Sequence, residues 1–154
     1  TVLSRDLPGI RALRDVSIAD FNRLCGGLPE GVEKRARHVV EEIDRSRRAA
    51  GLLERGDVAA FGRLMNACHA SLRDLYEVST PELDAMVAIA QGLPGCLGAR
   101  LTGAGFGGCT VNLVEKTAAE AFSANLAEGY ARATGLIPEI YICRAAEGAR
   151  ILAD

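Results

Sequence analysis

Apolar residues recur at helical spacing through the first two-thirds of this chain. Ser17 can cap a short helix whose Ile18, Phe21, Leu24 and Cys25 share one face, with Gly26-Gly27 stopping it. Val32, Ala36, Val39, Val40, Ile43, Ala50 and Leu53 then predict a long helix over residues 30–55. Gly56 supplies a left-handed exit and Asp57 the next N-cap, so two helices should turn back on each other. The second carries Val58, Phe61, Leu64, Met65, Cys68, Leu72 and Leu75 as one apolar stripe. Ser79-Thr80-Pro81-Glu82 reads as a capping box, with Ser79 paired to Glu82, opening a helix that buries Leu83, Met86, Val87 and Ala90.

The pattern changes after Gly95. Residues 99–102 are extended in character and lead into Gly103-Ala-Gly-Phe-Gly-Gly108. Cys109, Val111 and Leu113 then alternate with Thr110, Asn112 and Val114, a strand with the first set expected inward. Thr117-Ala-Ala-Glu120 is a second capping box, for a helix with Ala121, Phe122 and Leu126 inward that ends near Gly135. Ile140 to Cys143 predict another strand and residues 149–152 a possible last one. Helices followed by strand, glycine loop, strand, helix and strand predict an α+β fold with an antiparallel sheet. The helical part spans about 17–93 and the sheet-containing part about 97–154, as a single domain. The first sixteen residues show no clear element. With Thr1 in place of a methionine, they read as the start of a piece from a longer protein.

Composition narrows the function classes. At 154 residues the chain can bury a core without staples. Its 18 basic and 20 acidic residues leave a net charge of −2, without the basic excess of a nucleic-acid binder. The basic residues are arginines apart from Lys34 and Lys116, a habit that suits phosphate or carboxylate contacts but reads first as a bias of genome composition, since the positive charge is balanced and dispersed. No apolar run is long enough to span a bilayer, and no signal peptide or lipidation motif is visible. Five cysteines, odd in number and without a C-x-x-C pair, predict free thiols and a reducing, cytoplasmic compartment. Cys25, Cys68 and Cys109 fall on apolar periodic positions.

The glycine cluster is the strongest local signal for chemistry. Gly103, Gly105 and Gly108 match G-x-G-x-x-G, but a strand follows where a dinucleotide fold needs a helix. The V-A-I-K, H-R-D and D-F-G elements of protein kinases are absent. Four glycines in six residues let backbone N–H groups converge on an anion, which makes 103–108 a candidate phosphate-contacting loop. The alternative is a tight connection in which glycine only supplies positive φ. His38 and His69 lie on different helices without a carboxylate cluster, so they read as helix-packing histidines and not metal ligands. No catalytic residue and no metal ligand is assigned on this chain. Arg73, Asp74, Tyr76 and Glu77 form a polar group at a helix end, either a capping network or a site wall.

Gly98-Ala-Arg-Leu-Thr-Gly-Ala-Gly-Phe-Gly-Gly-Cys109 resembles the third glycine-rich motif of the GHMP kinases, in particular of galactokinases. Arg35-Ala-Arg-His-Val-Val-Glu41 is similar to the R-A-x-H-V-x-x-E stretch of that family. Gly56-Asp57, Phe61 to Met65, His69 to Asp74, Tyr76 to Ser79 and Pro81 to Asp84 follow it in order and spacing. The resemblance covers about residues 10–154. Two departures are visible: Leu75 replaces an expected acidic residue, and Cys68 stands where serine is common.

The resemblance implies a ferredoxin-like α+β C-terminal domain with added N-terminal helices. It implies ATP and Mg²⁺ as cofactors, held mainly by an N-terminal domain whose sugar motif, P-x-G-x-G-L-S-S-S loop and catalytic aspartate are not in this sequence. Partners would be that domain, galactose and ATP, with neither nucleic acid nor membrane. The loop residues Gly103, Ala104, Gly105, Phe106, Gly107 and Gly108 would line the phosphate end of an interdomain cleft. Such a parent protein phosphorylates the C1 hydroxyl of galactose, while the fragment alone would be inactive. N-acetylgalactosamine as the sugar, and a non-catalytic ATP- and sugar-binding sensor that controls a partner protein, are the alternatives.

Overall fold

The computed structural model describes residues 2–148, so the possible strand at 149–152 lies outside the described residues. Six helices carry the architecture: α1 Val2–Asp6, α2 Ile18–Leu24, α3 Glu30–Glu54, α4 Val58–Ser71, α5 Pro81–Gly92 and α6 Ala119–Thr134. Between α5 and α6 run β1, Cys96–Thr102, and β2, Cys109–Val114, paired antiparallel from Thr102↔Cys109 to Cys96↔Val114. This is the α+β arrangement expected, with a mostly helical first part.

Local chemistry sets most boundaries. Ser17 Oγ accepts the Asp20 N–H at 3.0 Å, and Asp57 Oδ1 accepts the Ala60 N–H at 3.0 Å, so both predicted caps form. Gly56 takes φ +71° between α3 and α4. Two capping boxes are corrected. At α5 the cap is Thr80, whose Oγ1 accepts the Leu83 N–H at 3.3 Å, while Ser79 donates to Asp84 Oδ1 at 2.5 Å. At α6 a turn closed by Ala118 N–H to Glu115 O at 2.9 Å comes first. That turn moves the N-cap from Thr117 to Ala118, which has no side-chain oxygen to offer. The first sixteen residues hold α1 and a 3₁₀ turn, Leu13–Asp15, which the sequence pattern did not predict.

Two apolar clusters form. Leu3, Val16, Phe21, Cys25, Ala36 and Val40 join the N-terminal segments to α3. Val87 and Ala90 of α5, Ala99 of β1, and Phe122 and Leu126 of α6 make the second. Helix α4 lies along the edge of β1 that β2 leaves open. Gly62 permits this, because a Cβ there would lie 2.0 Å from the Leu97 carbonyl oxygen. Asn66 Oδ1 accepts the Ala99 N–H at 2.8 Å, and His69 Nδ1 accepts the Leu101 N–H at 3.3 Å. The edge is thereby covered, and the outward amides of Ala99 and Leu101 are satisfied.

The predicted facing of β2 is reversed. Thr110 pairs with Leu101 and Asn112 with Ala99, so they share the face of those two buried residues (1% and 0% exposed). Cys109 and Val111, on the opposite face, are exposed. Residues 140–143 form no strand. The sheet of the described residues has two strands only, β1 and β2, so these residues join no ladder. Ile140 still packs against the second cluster, while Tyr141 and Ile142 are exposed. Among the described residues no helix is long and apolar enough to cross a membrane.

Candidate functional site

The loop 103–108 is the connection between β1 and β2, closed at its base by the Thr102↔Cys109 pair. Five of its six residues have positive φ: Gly103 (+85°), Gly105 (+81°), Phe106 (+59°), Gly107 (+125°) and Gly108 (+95°). Glycine carries this conformation without steric cost, whereas Phe106 does so at about 1–2 kcal/mol. The Phe106 ring is 74% exposed.

The loop is fastened at Val78. The Phe106 N–H donates to the Val78 carbonyl at 2.7 Å. A Cβ on Gly105 would lie 2.3 Å from that same oxygen and 2.8 Å from the Val78 Cβ. The room denied to a side chain at Gly105 is therefore occupied by protein backbone. Gly103, Gly107 and Gly108 differ, because a Cβ at each would meet nothing within 4 Å. These three present bare backbone to open space.

Val78 is itself held from several directions. The segment Leu72–Tyr76 is a π-helical turn, followed by Glu77 in the left-handed conformation (φ +56°). Arg35 of α3 pins that turn, donating to the Leu75 carbonyl at 2.8 Å and to Glu77 Oε2 at 2.5 Å. His38, one turn further along α3, pairs through Nδ1 with Ser71 Oγ at 2.9 Å and stacks on Tyr76 with ring centroids 4.6 Å apart. On the other side Ser79 donates to Asp84 Oδ1, which also accepts His69 Nε2–H at 3.2 Å. The hydrogen bond from Leu101 fixes the tautomer: Nδ1 accepts, so the proton sits on Nε2 and the ring is neutral. Burial is the main cause holding both imidazoles below their ordinary pKa, against the smaller opposing pull of Glu42 on His38 and Asp84 on His69. Both histidines are buried, as their helix-packing reading required.

Two further groups fall into place. Arg73 forks onto Asp74 at 2.7 and 3.0 Å, so these two polar residues pair with each other and not with Tyr76 or Glu77. Cys68 is buried, and its thiol donates to Glu42 Oε1 at 3.1 Å. Burial, followed by that bond, pushes the thiol up to about 11, which makes it inert. Cys109, expected on an apolar position, is exposed because β2 faces the other way. The roles of Val78, Asn66 and Asp84 carried no sequence signal of their own, since each depends on a contact between distant elements. No group of three His, Cys, Asp or Glu side chains converges to hold a metal among the described residues.

This geometry has known counterparts. The family described as GHMP kinases C terminal matches residues 49–132. A galactokinase from Roseiflexus sp. (strain RS-1) is 57% identical over 141 residues, covering 92% of this chain and 36% of that protein. Human galactokinase is 46% identical over 144 residues, covering 94% of this chain and 36% of its own length. A crystal structure of Lactococcus lactis galactokinase complexed with galactose superposes with a TM-score of 0.83 at 38% identity, over 88% of this chain and 35% of that one. The chain thus spans about a third of the length of these relatives. It belongs to the GHMP kinase C-terminal family, and the relatives just described are galactokinases.

Proposed function

We propose that this chain is the C-terminal domain of a galactokinase-type sugar kinase, and that residues Gly103 to Gly108 contact the phosphate chain of ATP. In this reading the parent protein transfers the γ-phosphoryl group to the C1 hydroxyl of galactose, together with an N-terminal domain outside this sequence. The observation that carries the reading is the anchored glycine loop. Gly105 and Phe106 tie it to Val78, while Gly103, Gly107 and Gly108 offer backbone that no side chain shields. A phosphate chain fits such a surface, since backbone dipoles can approach its oxygens closely.

ATP supplies the transferable phosphoryl group. This chain supplies position: a loop held at both ends whose amides need not reorganise as charge develops. Metal binding and the catalytic base are assigned to the N-terminal domain, as the galactokinase resemblance implies. Five free cysteines, two of them buried, support a reducing cytoplasmic setting.

The test is ADP release by the full-length protein given ATP and galactose. Sugar-dependent release is expected, and none from the 154-residue chain alone. That chain should also bind ATP more weakly than about 1 μM, because the loop is only part of the site. Preference for N-acetylgalactosamine would keep the kinase and change the sugar. Binding of both ligands without turnover would point to the sensor, and binding of neither would overturn the reading.

A further inference from the structure

A second concave surface lies at the other end of α4. A cavity of about 470 Å³ opens between the last turns of α3 and the first turns of α4, lined by Arg47, Arg48, Arg55 and Arg63. Its remaining lining residues include Gly51 and Ala60, and no Asp or Glu is among them. On α3, residues 47, 51 and 55 are spaced at four, so they share one helical face. Gly51 leaves that face without a side chain, and the Arg55 guanidinium folds over the gap, 3.3 Å from where a Cβ would stand. Gly51, Ala60 and the side chains of Leu52 and Leu64 thus line the cavity between guanidinium groups.

The charge is largely uncompensated. Among the described ion pairs only Arg48 has a partner, Asp44 at 3.6 Å, and both of those side chains are exposed. Such a pair is worth little and exchanges readily with a better anion. Arg55 follows the C-terminus of α3, where positive charge is favourable, but that does not account for Arg47 or for Arg63 on the facing helix. The N-terminal turn of α4 lies nearby, but its partial positive charge is already met by the Asp57 carboxylate, which accepts the Ala60 N–H at 3.0 Å.

We propose that this cavity is a binding site for a small polyanion carrying a diphosphate group. Planar guanidinium forks match phosphate oxygens two at a time, and four of them can serve two adjacent phosphates. The site is separate from the glycine loop. Helix α4 begins at the cavity and ends at the turn leading to Val78, about 20 Å along its axis.

The probes are inorganic pyrophosphate and ADP, titrated calorimetrically into the wild-type protein and into Arg55→Gln/Arg63→Gln. Saturable one-site binding of about 1 mM or tighter is expected for the wild type at low salt, weakened at least about tenfold in the double variant. Arg47→Gln/Arg48→Gln, which removes the two guanidinium groups within α3, should weaken it likewise, and Arg132→Gln on α6 should not. All these arginines are exposed or at the surface, and circular dichroism checks each fold. Equal affinity for the two probes identifies the diphosphate as the recognised group, and tighter ADP binding a nucleotide. No saturable binding overturns the proposal. So does binding that survives both double variants but is lost in Gly107→Val, which would place the anion at the glycine loop.

Discussion

The imidazole of His69 accepts the backbone N–H of Leu101 through Nδ1 at 3.3 Å, so one side chain of α4 satisfies the open edge of β1. Its other nitrogen holds Asp84, which in turn holds Ser79 next to the loop anchor Val78. His69→Ala would leave the Leu101 amide and the Asp84 carboxylate each short of a partner. The expected loss is about 1–3 kcal/mol of stability, read as a fall of about 2–4 °C in Tm per kcal/mol. Hydrogen exchange at Leu101 should speed up in the same variant.

Stability should decrease on mild acidification. Burial keeps His38 and His69 below the ordinary value of 6.5, so the unfolded chain takes up these protons first as pH falls. Where the unfolded state binds more protons, stability rises with pH. Their contribution is complete above 6.5 and declines as pH drops toward the folded-state values. Melting at about pH 7.5 and about pH 5.5, at constant ionic strength, should show a lower Tm at the acid value. A smaller drop is expected in His38→Gln/His69→Gln. An unchanged Tm in the wild type would contradict the neutral, buried assignment.

Glycines in one loop should respond unequally to the same substitution. Gly103→Ala costs the positive φ alone, about 1–2 kcal/mol. Gly105→Ala adds a collision 2.3 Å from the Val78 oxygen and must loosen the loop from its anchor. Thermal unfolding of the pair should place Gly105→Ala clearly lower. Equal Tm values would mean that the Val78 contact yields easily.

Thiol reactivity should follow burial. Cys109 and Cys143 are exposed, whereas Cys25 and Cys68 are buried. Mass analysis after brief alkylation of the folded protein should find the first two labelled and Cys68, raised to about 11, unmodified. All five should label after unfolding without reductant. Rapid labelling of Cys68 in the folded state would show α4 leaving the edge of β1.

Much of this architecture was legible because it is encoded locally. The middle of the α3 and α4 stripes, the caps Ser17 and Asp57, and the Gly56 exit all need only neighbours within a turn or two, whereas Val32, Leu53 and Val58 at the stripe ends are exposed. The glycine loop between two strands was readable for the same reason. The facing of β2 was not, because Thr110 and Asn112 turn inward only through their pairing with Leu101 and Ala99. Periodicity assigned the more apolar set, Cys109 and Val111, to the core, and the register overrode it. The strand expected at 140–143 hung on a non-local requirement too, since a strand forms only by joining a ladder and the sheet of the described residues ends with β1 and β2. Within the site, the sequence pointed to the loop but not to Val78, and without that contact Gly105 and Gly107 look interchangeable.

Turnover of the full-length protein with and without Gly107→Val decides whether the glycine loop meets the phosphates of ATP. A side chain there enters open space on the protein's side, so only the backbone strain of its φ of +125° burdens the fold. If the loop contacts the phosphates of ATP, that side chain occupies their place and weakens interactions that matter most in the transition state. The account expects ATP-dependent phosphorylation of galactose by the wild type. In the variant kcat/KM should fall at least about a hundredfold, equal to about 2.7 kcal/mol, with Tm lower by only about a few degrees. Near-normal kcat/KM in a folded variant would reduce the loop to an ordinary connection and contradict the account.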